Sequence, residues 1–216
     1  MKRAKLCYAM TVWRSASYTG TFIAMHPQII HTFNATNGLE VRVRQMVPSD
    51  APYLVDIFDH MSAESRYLRF NLPLSHPDPD WVRQQAESLA YLRPYEGRGW
   101  LAFADLPDHA EAPVGGVRYM AVSLECAEVA LVVRDDLQGL GIGTNLLAFA
   151  GRKAYFEGYR KLIGVIQCAN LPLWRSLQHL VLPVVTRREG ATTIIEVNLE
   201  APELFSWRTS QTTDGG

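Results

Sequence analysis

The sequence predicts a mixed α/β single domain. Three features predict it: a run of three strand-like segments without a helix between them, amphipathic helical stretches on either side of that run, and a glycine-rich turn that passes directly from a strand into a helix. The chain has 216 residues, 48% of them hydrophobic and 20% charged, a composition that suits one packed core and argues against disorder. Its 21 Lys and Arg balance 22 Asp and Glu, so no global basic field is present to hold nucleic acid. No apolar run approaches the roughly 18 residues of a membrane span. Cys7, Cys126 and Cys168 are odd in number and far apart, which excludes a disulfide framework or a Cys-x-x-Cys knuckle and makes a reducing cytoplasm the expected compartment.

Residues 1–39 hold no acidic residue and four basic ones, Lys2, Arg3, Lys5 and Arg14. The rest of the chain carries 17 basic against 22 acidic residues. Transit-peptide composition, an interrupted secretory signal and a poorly ordered extension all fit this segment. The expected organisation is an extension over 1–38, a domain over 39–206 and a flexible tail over 207–216. On this reading, a chain starting at Gly38 should fold. His26 and His31 have no carboxylate or thiol nearby in sequence, and no metal is expected.

From Leu39, LEVRVRQ alternates with period two and reads as a strand. Ser49 is the candidate N-cap of the next helix, with Pro52 in its first turn and Leu54, Ile57, Phe58 and Met61 on its apolar face. A short helix is expected over Ala63 to Phe70, a Pro-rich loop over Leu72 to Asp80, and a helix from Trp81 to Leu92. After a turn at Gly97–Gly99, WLAFADL, VGGVRYMAV and AEVALVV read as an antiparallel meander. Leu146, Leu147, Ala150 and Ala154 mark a helix closed by Gly158, and LIGVIQ is a buried strand. A helix from Asn170 to Leu180 and a hairpin of VLPVV with TTIIEVNL, turning across Arg187 to Ala191, complete the order.

The stretch AEVALVVRDDLQGLGIGTNLL, residues 127–147, carries the chemistry. A helix start leaves backbone N–H groups unpaired and concentrates about half a positive charge there. Glycines let an anion approach that backbone. The loop is therefore expected to hold a phosphate or pyrophosphate. The spacing G-x-G-x-G is not the dinucleotide pattern, and no Gly-Lys-Ser/Thr is present for a P-loop.

Gln138-Gly139-Leu140-Gly141-Ile142-Gly143 matches Q/R-x-x-G-x-G/A, and here the chain resembles the GCN5-related N-acetyltransferase (GNAT) family over roughly residues 39–200. SAESRYLRFNLP, residues 62–73, is similar to a segment beside the acceptor site in the bacterial Pat-like protein-lysine acetyltransferase branch. The residues of that block also fit an ordinary amphipathic helix.

The resemblance implies a mostly antiparallel sheet, splayed at an acyl-CoA cleft, with flanking helices. It implies that Leu131, Val132 and Val133 meet the pantetheine arm of acetyl-CoA, that Gln138, Gly139, Leu140, Gly141, Ile142, Gly143 and Thr144 hold the pyrophosphate, and that Asn170 contacts the CoA arm. The implied reaction is direct attack of a primary amine, a protein lysine among the acceptors, on the thioester. Glu128 matches the family's frequent general base, and its apolar neighbours in sequence suggest a raised carboxylate pKa. Glu125 is its rival, and a solvent-facing strand residue is the alternative for Glu128. A plain N-cap is the alternative for Asn170. The chain departs from the family at Ala169, where a Glu is common, at Leu177, where many members carry a Tyr acid, and at Val181-Leu182, where Gly-Phe is usual. A non-catalytic acyl-CoA-binding regulatory module is the competing reading.

Overall fold

The computed structural model describes residues 27–199, apart from residues 94, 169, 171, 172, 175, 176 and 178–183. Residues 1–26, with Cys7 and His26, and the expected tail over 207–216 lie outside the described residues, as does most of the expected helix over 170–180. Within that helix, Leu173, Trp174 and Leu177 are helical.

Among the described residues eight strands form one sheet, in the spatial order β1-β2-β3-β4-β5-β6-β8-β7. They are β1 (Ile29–Asn34), β2 (Glu40–Gln45), β3 (Gly97–Leu106), β4 (His109–Ala121), β5 (Cys126–Val133), β6 (Lys161–Gln167), β7 (Val184–Glu189) and β8 (Thr192–Asn198). All neighbours are antiparallel except β5 and β6, which are parallel. Three helices, α1 (Ala51–Asp59), α2 (Ala63–Phe70) and α3 (Pro79–Ala90), lie between β2 and β3 in the chain, and α4 (Ile142–Phe156) lies between β5 and β6.

Strand periodicity decides which side of the sheet each residue meets. On β3, Leu101 and Phe103 turn toward α1 and pack with Ile57. Trp100, Ala102 and Ala104 turn the other way, into the main core with Leu146, Phe149, Ala150 and Ala154 of α4. Trp100 meets Phe149 edge-on at 5.2 Å between ring centroids. The two faces of the sheet are thus covered by different helices, and α3 closes on α1 through Ala51, Ala86 and Ala90.

Several sequence expectations move. Order does not begin at Leu39, because Ile29–Asn34 already form β1 and pair antiparallel with β2. The expected extension therefore contains an edge strand. Phe33 packs on the main core, His31 stacks on Phe149 at 5.1 Å, and the Thr36 N–H donates to the Leu140 carbonyl at 3.0 Å. Ser49 is not the cap of α1. Residues Pro48–Asp50 make a 3-10 turn, and the buried Asp50 carboxylate takes the Val47 N–H at 2.8 Å and the Arg44 guanidinium at 2.7 and 2.9 Å. Gly97–Gly99 is not a turn but the start of β3, and the closing hairpin turns at Gly190 and Ala191 because Arg187 to Glu189 continue β7.

A chain starting at Gly38 would lose β1 and the contact of Thr36 with the glycine loop. Its melting temperature should fall by roughly 5–10 °C, given about 2–4 °C per kcal/mol for a domain of this size. Differential scanning calorimetry reads this directly, and an unchanged transition would show β1 to be ornamental.

Candidate active site

β5 is fully paired with β4, from Ala127 opposite Ala121 to Val133 opposite Gly115. Its pairing with β6 is much shorter. It runs only from Cys126 opposite Lys161 to Glu128 opposite Ile163, while β6 continues to Gln167 against β8. Past Glu128 the two parallel strands diverge, and the edge of β5 that faces β6 is left without a strand partner among the described residues.

Strand alternation decides which groups reach that edge. The Arg134 N–H donates to the Val114 carbonyl, and the Val132 carbonyl abuts Gly115, so the even-numbered backbone groups point toward β4. The Val129 carbonyl faces Gly164 of β6. Leu131 and Val133, two and four residues further on, therefore turn their main-chain groups to the split. The Val133 carbonyl there accepts from Gln138 Nε2 at 3.3 Å. Val132 differs from the expectation: its backbone faces β4, and its side chain packs with the Ile57, Leu101 and Phe103 cluster.

After β5 the chain makes a 3-10 turn over Asp135–Leu137 and enters the glycine loop. Gly139 and Gly141 both have φ of 77°, the left-handed region that glycine tolerates best. Among the described residues, a Cβ on Gly139 would meet nothing within 4 Å, and one on Gly141 only Thr36 Cγ2 at 3.6 Å, so these residues leave the loop open. No side chain among the described residues caps α4 at its N-terminus. Ile142 and Thr144 bury their side chains, which leaves main-chain groups as what this end of the helix offers. Gln138 and Gly139 are exposed, and Leu140 packs against the main core.

Helix α2 is tied across the mouth of the split. Ser62 caps it, accepting from the Ser65 N–H at 3.1 Å. Asp135, just past β5, accepts from the Ser62 N–H at 2.9 Å and from Ser65 Oγ at 3.0 Å, while its other oxygen takes Gln138 Nε2 at 2.9 Å. At the far end Asn71, in the left-handed region, accepts from Gln167 Nε2 at the tip of β6. The helix thus spans from the end of β5 to the end of β6. Asp135 was not singled out in the sequence, and nothing local marks it, because its partners lie 70 and 73 residues away. Asp135→Ala would strand these donors. Two of the three bonds are open to water, so the loss should be about 0.5–1.5 kcal/mol in urea unfolding, and a loss below a few tenths would show the tie to be incidental.

Within the Ser62–Phe70 block, Arg66 is structural. Its guanidinium stacks on Phe58 at 4.1 Å and donates to the Phe58 carbonyl at 3.0 and 3.1 Å. Tyr67 is exposed. Glu128 sits at the last paired residue of β5, where the split opens, but it is exposed rather than set in apolar surroundings. Alternation explains the difference: Ala127 and Val129 face the α4 side of the sheet, and Glu128 faces the α2 side. There its charge interacts with Arg118 of β4 and Arg69 of α2 and favours the charged form of both.

Asn170 acts as a helix cap, its Oδ1 accepting from the Leu173 N–H at 3.1 Å. Leu177, where the resemblance implies a Tyr in many members, is buried in the main core. Cys168 lies 3.4 Å from Thr193 Oγ1. No group of three His, Cys, Asp or Glu among the described residues could hold a metal, and no described helix is long and apolar enough to cross a membrane.

A sheet split between two parallel strands, with a glycine-rich turn leading from one of them into an uncapped helix, is the arrangement that the family resemblance implied. The chain belongs to the acetyltransferase (GNAT) family, whose model matches residues 60–180. Its structure is similar to the GNAT domain of Pat from S. lividans, with TM-score 0.66 and 22% identity over 78% of this chain and 96% of that one. It is similar to the cAMP-binding acyltransferase from Mycobacterium smegmatis, with TM-score 0.53 and 19% identity, covering 83% of this chain but 50% of that one. It is also similar to the PaiA N-acetyltransferase from Thermoplasma acidophilum in complex with coenzyme A, with TM-score 0.53 and 14% identity over 73% of this chain and 98% of that one. At these identities the likeness is one of fold. No curated protein matches the chain by sequence.

Proposed function

We propose that the chain is an acyl-CoA-dependent N-acyltransferase that moves an acetyl group from acetyl-CoA to a primary amine. The observation that carries this reading is the register of β5 with β6, which stops at Glu128 and Ile163. A bare strand edge can pair with an extended ligand that has amides of its own, as the pantetheine arm does. Leu131 offers its N–H and C=O there, and Val133 lies at the rim. The N–H groups from Gly139 to Thr144 face the pyrophosphate, supported by the uncapped start of α4 and the open space beside Gly139 and Gly141. Gln138 braces that loop through Val133 and Asp135. Asn170 remains beside the CoA arm as well as capping its own helix.

The chemistry is transfer between two nucleophiles. The acceptor nitrogen bonds to the carbonyl carbon, the carbon–sulfur bond breaks, and CoA leaves as the thiolate. An alkylammonium has a pKa near 10, so its proton must be removed at neutral pH. Glu128, at the fork and open to solvent, takes that proton and passes it to water. No side-chain acid is needed for a thiolate leaving group, which fits Leu177 in the core. Protein lysine is the favoured acceptor, supported by the Ser62–Phe70 block and by the fold shared with the Pat domain. The two described cysteines are free, which supports a reducing cytoplasm.

Thiol release from acetyl-CoA, followed with and without amines and lysine peptides, tests the reading. Amine-dependent release is the expected result. Tight acetyl-CoA binding without release would favour the regulatory module, and no binding would end both readings.

A further inference from the structure

The face of the split toward α2 carries a charge imbalance that acetyl transfer does not explain. Arg69 reaches in from α2, and its Nε is buried without a hydrogen-bond partner among the described residues. Arg118 reaches in from β4, and the contact shown for its guanidinium is the Met120 thioether, a weak acceptor. The anion whose charge acts on both is Glu128, one carboxylate against two guanidiniums. Burial and the nearby Arg118 push Arg69 down to about 10. A buried cation without its full set of acceptors is costly unless a ligand completes it. Guanidinium is the side chain that grips carboxylates by paired N–H donors.

We infer that Arg69 and Arg118 form a carboxylate-binding subsite that selects amine acceptors bearing an acidic group beside the reacting amine. The inference rests on the acyltransferase reading and narrows its substrate class. The two arginines stand on the same side of the sheet as Glu128, opposite α4, so an acceptor held there has its amine at the fork and its carboxylate on the guanidiniums. The CoA pyrophosphate belongs to the other end of the split, at the glycine loop, and does not compete for this pair. The carboxylate has two sources: an Asp or Glu side chain beside a peptide lysine, or the α-carboxylate of a free amino acid.

The test uses the full chain with acetyl-CoA and matched acceptors. One arm compares lysine peptides with Glu or Gln beside the lysine; the other compares free amino acids with their α-amides. At least one arm should favour the carboxylate form by tenfold or more in kcat/KM, and that arm names the source. In Arg118→Gln that preference should collapse to within about twofold, and Arg118→Lys should restore part of it. Arg69→Met should lose the preference yet raise the melting temperature by about 2–4 °C, since a half-buried guanidinium whose buried Nε has no partner among the described residues is gone. A structural arginine would do the reverse. Equal kcat/KM for acid and amide in both arms overturns the subsite while leaving acetyl transfer intact. Should no amine be acetylated, the transfer reading fails. Calorimetric titration of the same pairs then decides the subsite: a tenfold tighter carboxylate form, lost in Arg118→Gln, supports it, and equal affinities overturn it.

Discussion

Glu128→Gln should lower turnover by about 10²–10⁴ near neutral pH, the usual worth of a general base. The amide keeps the shape and the hydrogen-bonding reach of the side chain but cannot carry the proton. The position makes the expectation specific: Glu128 is the last residue of β5 paired with β6, so it stands where the split begins. Acetyl-CoA affinity should stay nearly unchanged, because the glycine loop lies beyond the other end of β5. The loss should shrink toward high pH, where the free amine no longer needs a base. Glu125 is the control. It lies in the β4–β5 turn before the fork, and its backbone carbonyl accepts from Arg160 and Lys161. Glu125→Gln should lose far less. Equal losses in the two variants, or normal turnover in Glu128→Gln at pH 7, would route the proton through water or through the acceptor itself.

Gly141→Asp should weaken acetyl-CoA binding by about 10²-fold or more. The effect on binding is the carboxylate's, since like charges about 4 Å apart repel by about 4 kcal/mol at the effective dielectric of a protein surface, before salt screening. A φ of 77° costs a residue with a Cβ about 1 kcal/mol of folding stability, which the free and bound states share. Among the described residues the only atom a Cβ would approach is Thr36 Cγ2 at 3.6 Å, so the variant should fold. Calorimetry in low and high salt checks the cause, because a loss due to charge shrinks as salt rises. An unchanged affinity in the folded variant would remove the pyrophosphate from this loop.

What the sequence revealed, and what it hid, follows from the range of the interactions involved. The helix from Ala63 to Phe70 and the strand–glycine–helix passage at 127–147 are set by neighbours in sequence, and each was legible. β1 was not: as a six-residue edge strand with burial on alternate residues at most, it leaves no apolar run to recognise. The setting of Glu128 was misjudged because Ala127 and Val129 are neighbours along the chain but face the other side of the sheet. The same alternation separates Val132 from Leu131 and Val133. Asp135, Arg69 and Arg118 act on partners from other elements, so no local pattern announces them. Nor does any single-strand pattern show where β5 and β6 stop pairing, although the whole functional reading depends on that register.

Hydrogen–deuterium exchange of the full chain, with and without saturating acetyl-CoA, tests that dependence most directly. New protection is expected at the Leu131 amide and at the amides from Gly139 to Thr144, with the already paired β3–β4 amides unchanged. Saturable binding that leaves Leu131 and the glycine loop exchanging as before would contradict it, because acyl-CoA would then occupy some place other than the split between β5 and β6.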